Sequence, residues 1–336
     1  FRRVLFRSGA CERLKASPLL ADFAEHCSFG ECTPFLQAAQ LADVQLTEPD
    51  LLQPADRVSH LASFFIERLC GAFLVDDNLA AMSGLYSMQR GEWWPEALQL
   101  CGINTDQLAG VVPAGTLVAR TTPAAQSFGL PGGVPLVSAG NDQTAGAYGA
   151  DLHRNRALLI TLGTAQVVYA FEKCLPPAGP QRVRGPYPGG GCYRMAADTA
   201  GCNVVSWARA MLTGCETEAD LDRLAEQSPP GANGLVFEPA LPEGRGRWQG
   251  ISLSHTPADF ARSILEGLTA RLTRLVRAAE FPTHDRPLLI AGGGARSRLW
   301  VELLSAGLGA EATTVEANPP AGAARMTAEA VSSLVI

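Results

Sequence analysis

Short apolar runs that end at a glycine recur along this chain of 336 residues. They occupy positions 135–139, 157–162 and 287–291, and a glycine follows each of them directly. Apolar runs of this length that are bounded by turn residues predict buried strands. The run at 157–162 is followed, after Gly163 and Thr164, by a second apolar stretch, so this pair predicts a hairpin with a glycine turn.

Helical patterns alternate with these strands. Thr256, Pro257 and Asp259 form a strong helix start, and the apolar positions that follow it at helical spacing predict a core helix to about residue 279. The pattern at 60–70 predicts a helix that closes at Gly71, and Thr217 is predicted to begin a helix with Asp220 in a capping box.

Asp142 lies where the predicted strand at 135–139 gives way to a helix of small residues. A carboxylate at this point can accept a proton from a substrate hydroxyl, and small residues let the helix approach another backbone or a ligand closely. The alternative is that Asp142 only caps the helix, which is common for aspartate. The residue pattern alone favours the cap.

Two glycine turns offer backbone N–H groups to an anion. Gly163 and Thr164 form the first, although an ordinary hairpin explains them equally well. Gly292, Gly293 and Gly294 form the second, between a strand and an apolar helix, which is compatible with a nucleotide. No Gly-Lys-Ser/Thr follows this turn, and it does not fit G-x-G-x-x-G, so it is neither of the common phosphate-binding loops.

Three motifs occur in a fixed order: G-N-D-Q-T-A-G-A-Y-G at 140–149, L-G-T at 162–164, and G-G-G-A-R-S-R-L-W at 292–300. Taken together they resemble the FGGY family of carbohydrate kinases, and the resemblance extends over roughly residues 60 to 325. It implies an α/β protein with two ribonuclease H-like (actin-like ATPase) domains and a cleft between them. It also implies ATP-dependent phosphorylation of a sugar or polyol.

The resemblance implies a role for several residues. Asp142 would be the catalytic base, and ATP with Mg²⁺ would be bound without a dedicated protein metal site. Asp142, Gln143 and Asp77 would contact the substrate. The residues implied to contact the nucleotide are Gly163, Thr164, Gly201, Gly292, Gly293, Gly294 and Ser297.

The resemblance also predicts the organisation of the chain. Residues 1–8 read like a translated sequencing adapter and are set aside. Residues 9–150 are predicted to be the later part of the FGGY N-terminal domain, and residues 151–336 the C-terminal domain. The family's early Asp-x-Gly-Thr turn is not found, so the first domain is expected to be incomplete, and this fragment alone is expected to be inactive.

Composition excludes several classes of protein. The net charge of −6 and the dispersed charges argue against nucleic-acid or membrane partners, and no apolar run is long enough to cross a bilayer. The nine cysteines include no C-x-x-C pair, so free thiols in a cytoplasmic protein are expected rather than a zinc site. The expected partner is a small sugar or polyol, and a homodimer is compatible with the sequence.

Alternatives remain at this stage. Trp93 and Trp94 are candidates for an aromatic wall beside a sugar ring, but core packing is the favoured interpretation. The same fold would also suit an actin-like ATPase or a sugar-responsive binding protein without phosphotransfer, or an inactive remnant. For a kinase, the expected acceptor is a ketose such as xylulose, ribulose or sedoheptulose, with glycerol as the second choice.

Overall fold

The computed structural model describes residues 8–179, 181–241, 243–283 and 286–333. These residues form two compact units. The first unit comprises residues 8–149, 172–194 and 318–333, and the second comprises residues 150–171 and 195–317. Apart from Ser8, which begins the first helix, the predicted adapter segment lies outside the described residues.

Up to residue 149 the chain alternates short strands with helices. In chain order the elements are α1 (Ser8–Ala16), α2 (Phe23–His26), α3 (Gln37–Thr47), α4 (Leu61–Cys70), β1 (Leu74–Asp76), α5 (Asp77–Ala81), β2 (Tyr86–Ser87), β3 (Glu92–Trp93), α6 (Pro95–Cys101), β4 (Gly110–Val112), β5 (Leu117–Arg120), β6 (Pro135–Val137) and α7 (Asp142–Gly149). Strands β1 and β4 pair in parallel, whereas β2 with β3 and β5 with β6 pair antiparallel. As predicted, α4 ends at Gly71, which adopts φ +79°.

From residue 150 the chain builds a larger sheet. The elements are α8 (Leu152–Asn155), β7 (Leu158–Leu162), β8 (Gln166–Glu172), β9 (Val183–Pro186), β10 (Cys192–Asp198), α9 (Cys202–Met211), α10 (Glu218–Ala225), β11 (Val236–Glu238), β12 (Arg247–Gln249), α11 (Pro257–Ala278), β13 (Leu288–Ala291), α12 (Arg298–Leu308), β14 (Ala312–Thr314) and α13 (Pro319–Ser332). Five neighbouring strands have the order β14-β13-β7-β8-β10. Strand β9 and the start of β10 lie in segment 172–194 of the first unit, and α13 also belongs to that unit.

Each unit has its own hydrophobic core. In the second unit, α11 buries one apolar face against α10, α12 and β11, and Leu268 and Leu272 are fully buried there. Complete burial of one such side chain stabilises the fold by roughly 2 kcal/mol. The helix start predicted at Thr256 and Asp259 is confirmed, and so is the capping box predicted between Thr217 and Asp220. In the first unit, Trp94 is fully buried and Trp93 nearly so, which makes them core residues and excludes an aromatic wall at the surface.

One strand prediction and one loop prediction need correction. The run at 135–139 is not a core strand, because β6 covers only Pro135–Val137, is half-buried and pairs with β5 alone. The proline and glycine content of 175–191 predicts a loop, yet this stretch contains β9. Its residue Val183 forms a bridge with Phe29, so a distant partner stabilises a strand that the local composition conceals.

Candidate functional site

Asp142 is the first residue of α7, and it is not the residue that caps this helix. The side-chain oxygen of Asn141 accepts the backbone N–H of Thr144 at 2.9 Å, and the backbone oxygen of Asn141 accepts the N–H of Ala145 at 2.9 Å. Asn141 is therefore the cap, and the interpretation of Asp142 as an N-cap is wrong. The exposed carboxylate of Asp142 accepts the N–H of Gln143 at 2.8 Å and otherwise projects from the helix start.

A buried carboxylate holds the turn that precedes Asp142. Asp76 is fully buried and accepts hydrogen bonds from the Ser138 hydroxyl and, at 3.2 Å, from the N–H of Gly140. The other oxygen of Asp76 accepts the N–H of Leu79 at 2.8 Å and so caps α5. These bonds and its complete burial make Asp76 a structural residue.

Asn78 forms the second buried connection to this turn. Its side-chain oxygen accepts the backbone N–H of Asn141 at 3.0 Å and the side-chain amide of Asn141 at 2.8 Å. Its own amide donates to the carbonyl of Pro186 at 2.8 Å and to the hydroxyl of Thr144 at 3.2 Å. Asn78 is fully buried, so these bonds are shielded from water.

Two other candidate substrate residues also lie in the first unit. Asp77 is half-buried and accepts the N–H of Ala114 at 2.9 Å, and burial raises the pKa of its carboxyl group. Gln143 is half-buried and follows Asp142 in the first turn of α7. The hydrogen bonds between Asn78 and Asn141 thus bring the 76–78 segment and the start of α7 together.

Small residues let α7 lie directly against α13, as the sequence predicts for this helix. A side chain at Gly322 would meet the carbonyl oxygen of Ala145, and one at Gly149 would lie 3.1 Å from the Cα atom of Gly322. Asn318 caps α13 by accepting the N–H of Ala321 at 3.3 Å. The helix that begins at Asp142 is therefore fixed at its start by Asn78 and along its length by α13.

In the second unit, the predicted hairpin turn between β7 and β8 is confirmed. Gly163 donates its N–H to the carbonyl of Ala165 at 3.0 Å, and Thr164 is exposed at the tip. The carbonyl of Gly163 accepts the N–H of Cys202 at 2.8 Å, which joins the turn to the start of α9. A Cβ atom at Gly201 would lie 2.7 Å from that carbonyl oxygen, so close packing requires glycine there.

The second glycine turn meets the first at the end of β7. Gly292 has φ +90°, and a Cβ atom on it would lie 2.6 Å from the carbonyl oxygen of Leu162. Gly294 packs equally closely, because a Cβ atom there would lie 2.6 Å from the ring of Trp300. At Gly293, by contrast, a Cβ atom would meet no other part of the described chain within 4 Å. The two glycine turns that are candidates for nucleotide contacts, at Gly163 and at Gly292, therefore both lie beside Leu162 at the end of β7.

Ser297 is buried and has structural partners. Its hydroxyl donates to the carboxylate of Asp222 at 2.6 Å and accepts the N–H of Trp300 at 3.1 Å, which caps α12. Burial raises the pKa of the Asp222 carboxyl group. Ser297 therefore supports the helix that follows the glycine turn.

Sequence reasoning missed the contribution of Asn78 and Asn141. The polar stretch at 76–78 was visible, but its partners are more than sixty residues away. Within the described ranges, no group of three or more His, Cys, Asp or Glu residues is arranged to hold a metal ion, and no helix is both long and apolar enough to cross a membrane.

Comparison with known proteins identifies both parts of the chain. Residues 8–149 match the FGGY family of carbohydrate kinases, N-terminal domain, and residues 158–330 match the C-terminal domain of the same family. L-fuculokinase of Salmonella typhi is 30% identical over 269 residues, which cover 76% of this chain and 56% of that protein. Xylulose kinase of Escherichia coli (strain K12) is 27% identical over 320 residues, which cover 87% of this chain and 63% of that protein.

Solved structures show the same fold. The xylulose kinase structure from Rhodospirillum rubrum aligns with a TM-score of 0.87 at 24% identity and covers 96% of this chain and 68% of that chain. The Plasmodium falciparum glycerol kinase structure with ADP gives 0.83 at 14% identity, with 96% of this chain and 68% of that chain covered. The predicted α/β fold with two actin-like ATPase domains is confirmed, and the chain spans little more than half of the first of these relatives. This chain belongs to the FGGY family of carbohydrate kinases.

Proposed function

We propose that the complete protein transfers the terminal phosphoryl group of ATP to a hydroxyl of a sugar or polyol, with Asp142 as general base. The observation that supports this role best is the cap at Asn141. Asn141 occupies the cap position, and the carboxylate of Asp142 is exposed, with one oxygen accepting the N–H of the next residue, Gln143. Asp142 can therefore accept the proton that the attacking hydroxyl must lose.

The glycine turns of the second unit are the proposed contacts for the ATP. Gly163 and Thr164 would offer a turn with little side chain and the one exposed hydroxyl of Thr164 to the phosphates. The open space above Gly293 fits the approach of a bulky ligand to bare backbone, and Gly292 and Gly294 border it. Gly201 and Ser297 would act indirectly, since the first fits against the Gly163 turn and the second caps α12.

Magnesium is proposed as the companion ion of ATP. Mg²⁺ retains several waters and is commonly held by substrate phosphates with one or two carboxylates, so it requires no clustered protein ligands. Bound Mg²⁺ would offset the negative charge of the phosphates during transfer.

The proposed chemistry depends on position more than on covalent steps. Phosphoryl transfer has a loose transition state, so catalysis consists mainly of alignment and charge stabilisation. Asp142 would bind the acceptor hydroxyl, orient its oxygen and take its proton as the new bond to the γ-phosphorus forms and the bond from that phosphorus to the leaving ADP breaks. Gln143 and Asp77 are proposed to contact other polar groups of the substrate, and the half-buried carboxyl of Asp77 suits a hydrogen bond to a sugar hydroxyl.

The names of the relatives support a sugar or a related polyhydroxy compound as the acceptor. Their names specify fuculose, xylulose and gluconate as acceptors, and a more distant structural match is a glycerol kinase. We propose a ketose as the acceptor and a cytoplasmic site of reaction, with a homodimer as an assembly to be tested by light scattering. L-fuculose, xylulose, ribulose, sedoheptulose, gluconate and glycerol form the panel for an assay of sugar-dependent ADP release.

The decisive experiment compares Asp142→Asn with wild type in the complete protein. We expect the loss of the base to lower sugar-dependent ADP release at least about 100-fold, while calorimetry shows ATP binding close to normal. Asp106→Asn is the matched control, because Asp106 is also exposed in the first turn of a short helix in the first unit. Retained turnover in Asp142→Asn would reject the base. If the wild-type protein hydrolyses ATP but no acceptor of the panel stimulates this hydrolysis, the result would instead favour an ATPase without sugar transfer.

A further inference from the structure

The turn that presents Asp142 is held by buried side chains from a distant part of the first unit. Asn78 lies 63 positions before Asn141 in the chain, yet its side-chain oxygen accepts hydrogen bonds from both the backbone N–H and the side-chain amide of that residue. Asp76 binds the two residues Ser138 and Gly140 in the same turn. These contacts fix the backbone on the N-terminal side of the exposed carboxylate.

The orientation of the Asn78 amide is determined by its backbone partners. One end of the amide faces the N–H of Asn141 and the other faces the carbonyl of Pro186, so only one assignment of oxygen and nitrogen satisfies both. The glycine at 140 leaves the space that this oxygen occupies, since a Cβ atom there would lie 2.9 Å from it. Asn78 therefore makes a connection that an aspartate or leucine of similar size cannot reproduce.

On this basis we propose that Asn78 is a positioning residue for the phosphoryl-transfer reaction, acting through Asn141 on the carboxylate of Asp142. This inference rests on the proposed role of Asp142 as base. Asn78 itself is fully buried and needs no contact with the substrate. Its effect is geometric, because removal of its bonds lets the helix start and the attached carboxylate shift.

A small displacement of this kind has a distinctive kinetic effect. A misplacement of about 1 Å at a catalytic group can lower the rate roughly 100-fold without a change in its chemistry. The loss should appear in kcat, whereas the KM for ATP should stay constant, because the proposed nucleotide contacts are in the other unit. A residue that contributed only to folding would lower the amount of active protein instead.

The main experiment measures kcat and both KM values for Asn78→Ala in the complete protein with the best acceptor of the panel. We expect kcat to fall about 10- to 100-fold and the KM for ATP to remain within about twofold. Ser83→Ala is the matched control, since Ser83 is buried at the end of α5 and bonds to the backbone of Ala80 and Leu85 without touching the 138–142 turn. This control should be destabilised but should retain kcat.

If Asn78→Ala does not fold, a second variant tests the proposed positioning role. Asn141→Ser keeps a good helix cap but removes the amide that reaches Asn78. We expect a fall in kcat of about three- to tenfold with a thermal midpoint close to wild type. An Asn141→Ser protein with wild-type kcat would overturn the proposal in that case.

The double variant Asn78→Ala with Asp142→Asn separates positioning from general stability. If Asn78 acts only through Asp142, it should add no further loss to the residual turnover of Asp142→Asn. The proposal would be overturned if Asn78→Ala lowered the residual turnover of Asp142→Asn by the same factor by which it lowers the wild-type kcat. A folded Asn78→Ala protein with wild-type kcat would also overturn it. An active Asp142→Asn would contradict the proposed base itself, so the two failures give different results.

Discussion

The amide oxygen of Asn141 accepts the backbone N–H of Thr144 at 2.9 Å, which assigns the cap of α7 to the residue before Asp142. Two good capping residues stand side by side here, and only one can occupy the cap position. Because Asn141 does so, structural and proposed chemical roles are divided between two neighbours. This division can be measured as a difference between stability and activity.

We predict that Asn141→Ala destabilises the protein by about 1 kcal/mol through loss of the cap. Asp142→Ala should change the free energy of unfolding by less than about 0.5 kcal/mol, since its side chain is exposed. Denaturant unfolding of both variants checks the prediction. A larger destabilisation by Asp142→Ala than by Asn141→Ala would contradict the assignment of the cap.

The contact between α7 and α13 gives a second prediction. Gly322→Ala places a methyl group against the carbonyl oxygen of Ala145, so the two helices must separate. We expect a loss of about 1–3 kcal/mol from overpacking. Gly9→Ala in α1 is the control, because a Cβ atom there would meet nothing within 4 Å in the described part of the chain beyond its own helix and chain neighbours, and it should be neutral or slightly stabilising. Equal melting temperatures for the two variants would refute the close contact.

Much of the second unit could be predicted from local sequence. The Gly163 turn joins two strands that are adjacent in the chain, and the Thr256–Asp259 capping box lies within four residues. Local patterns contain the information for such features, because their stabilising contacts are also local. The glycine turn at 292 was likewise visible, since only glycine tolerates φ +90° beside the Leu162 carbonyl.

The residues that hold Asp142 could not be predicted in the same way. The choice between Asn141 and Asp142 as cap depends on bonds to Asn78, which are formed only in the folded chain. The position of Ser297 at the close of the glycine motif predicts a nucleotide contact, and its bond to Asp222, 75 residues away, cannot be read from that motif. Long-range hydrogen bonds therefore decide which polar residues remain available for chemistry.

The cysteines provide a third prediction. Cys27 and Cys101 are buried, and burial raises the pKa of both thiols, that of Cys101 to about 12, so neither forms a reactive thiolate near neutral pH. Cys174 is exposed. Brief alkylation of the native protein followed by peptide mass spectrometry should label Cys174 and leave the two buried thiols intact. Labelling of Cys27 without denaturant would contradict their burial.

The last prediction concerns pH and the buried carboxylate at the start of α11. Asp259 accepts hydrogen bonds from Ser228 at 2.6 Å, from Asn233 at 2.8 Å, and from the N–H and hydroxyl of Thr256 at 2.7 and 2.8 Å. These bonds, led by the one from Ser228, lower the pKa of its carboxyl group below the usual value. The ionised form is thus favoured in the folded state.

A pKa lowered by folding adds stability that is fully present above the unfolded value of about 4 and is lost as the pH falls towards the folded value. We expect Asp259→Asn to lose roughly 2 kcal/mol at neutral pH, because an amide has one accepting oxygen and cannot serve both Thr256 on one side and Ser228 and Asn233 on the other. The difference from wild type should shrink below about pH 4, as measured by unfolding at several pH values. Asp220→Asn is the control, since Asp220 makes the same bonds to Thr217 in a more exposed capping box, and its effect should be smaller. A difference that grows as the pH falls would contradict the stabilising role of the ionised carboxylate.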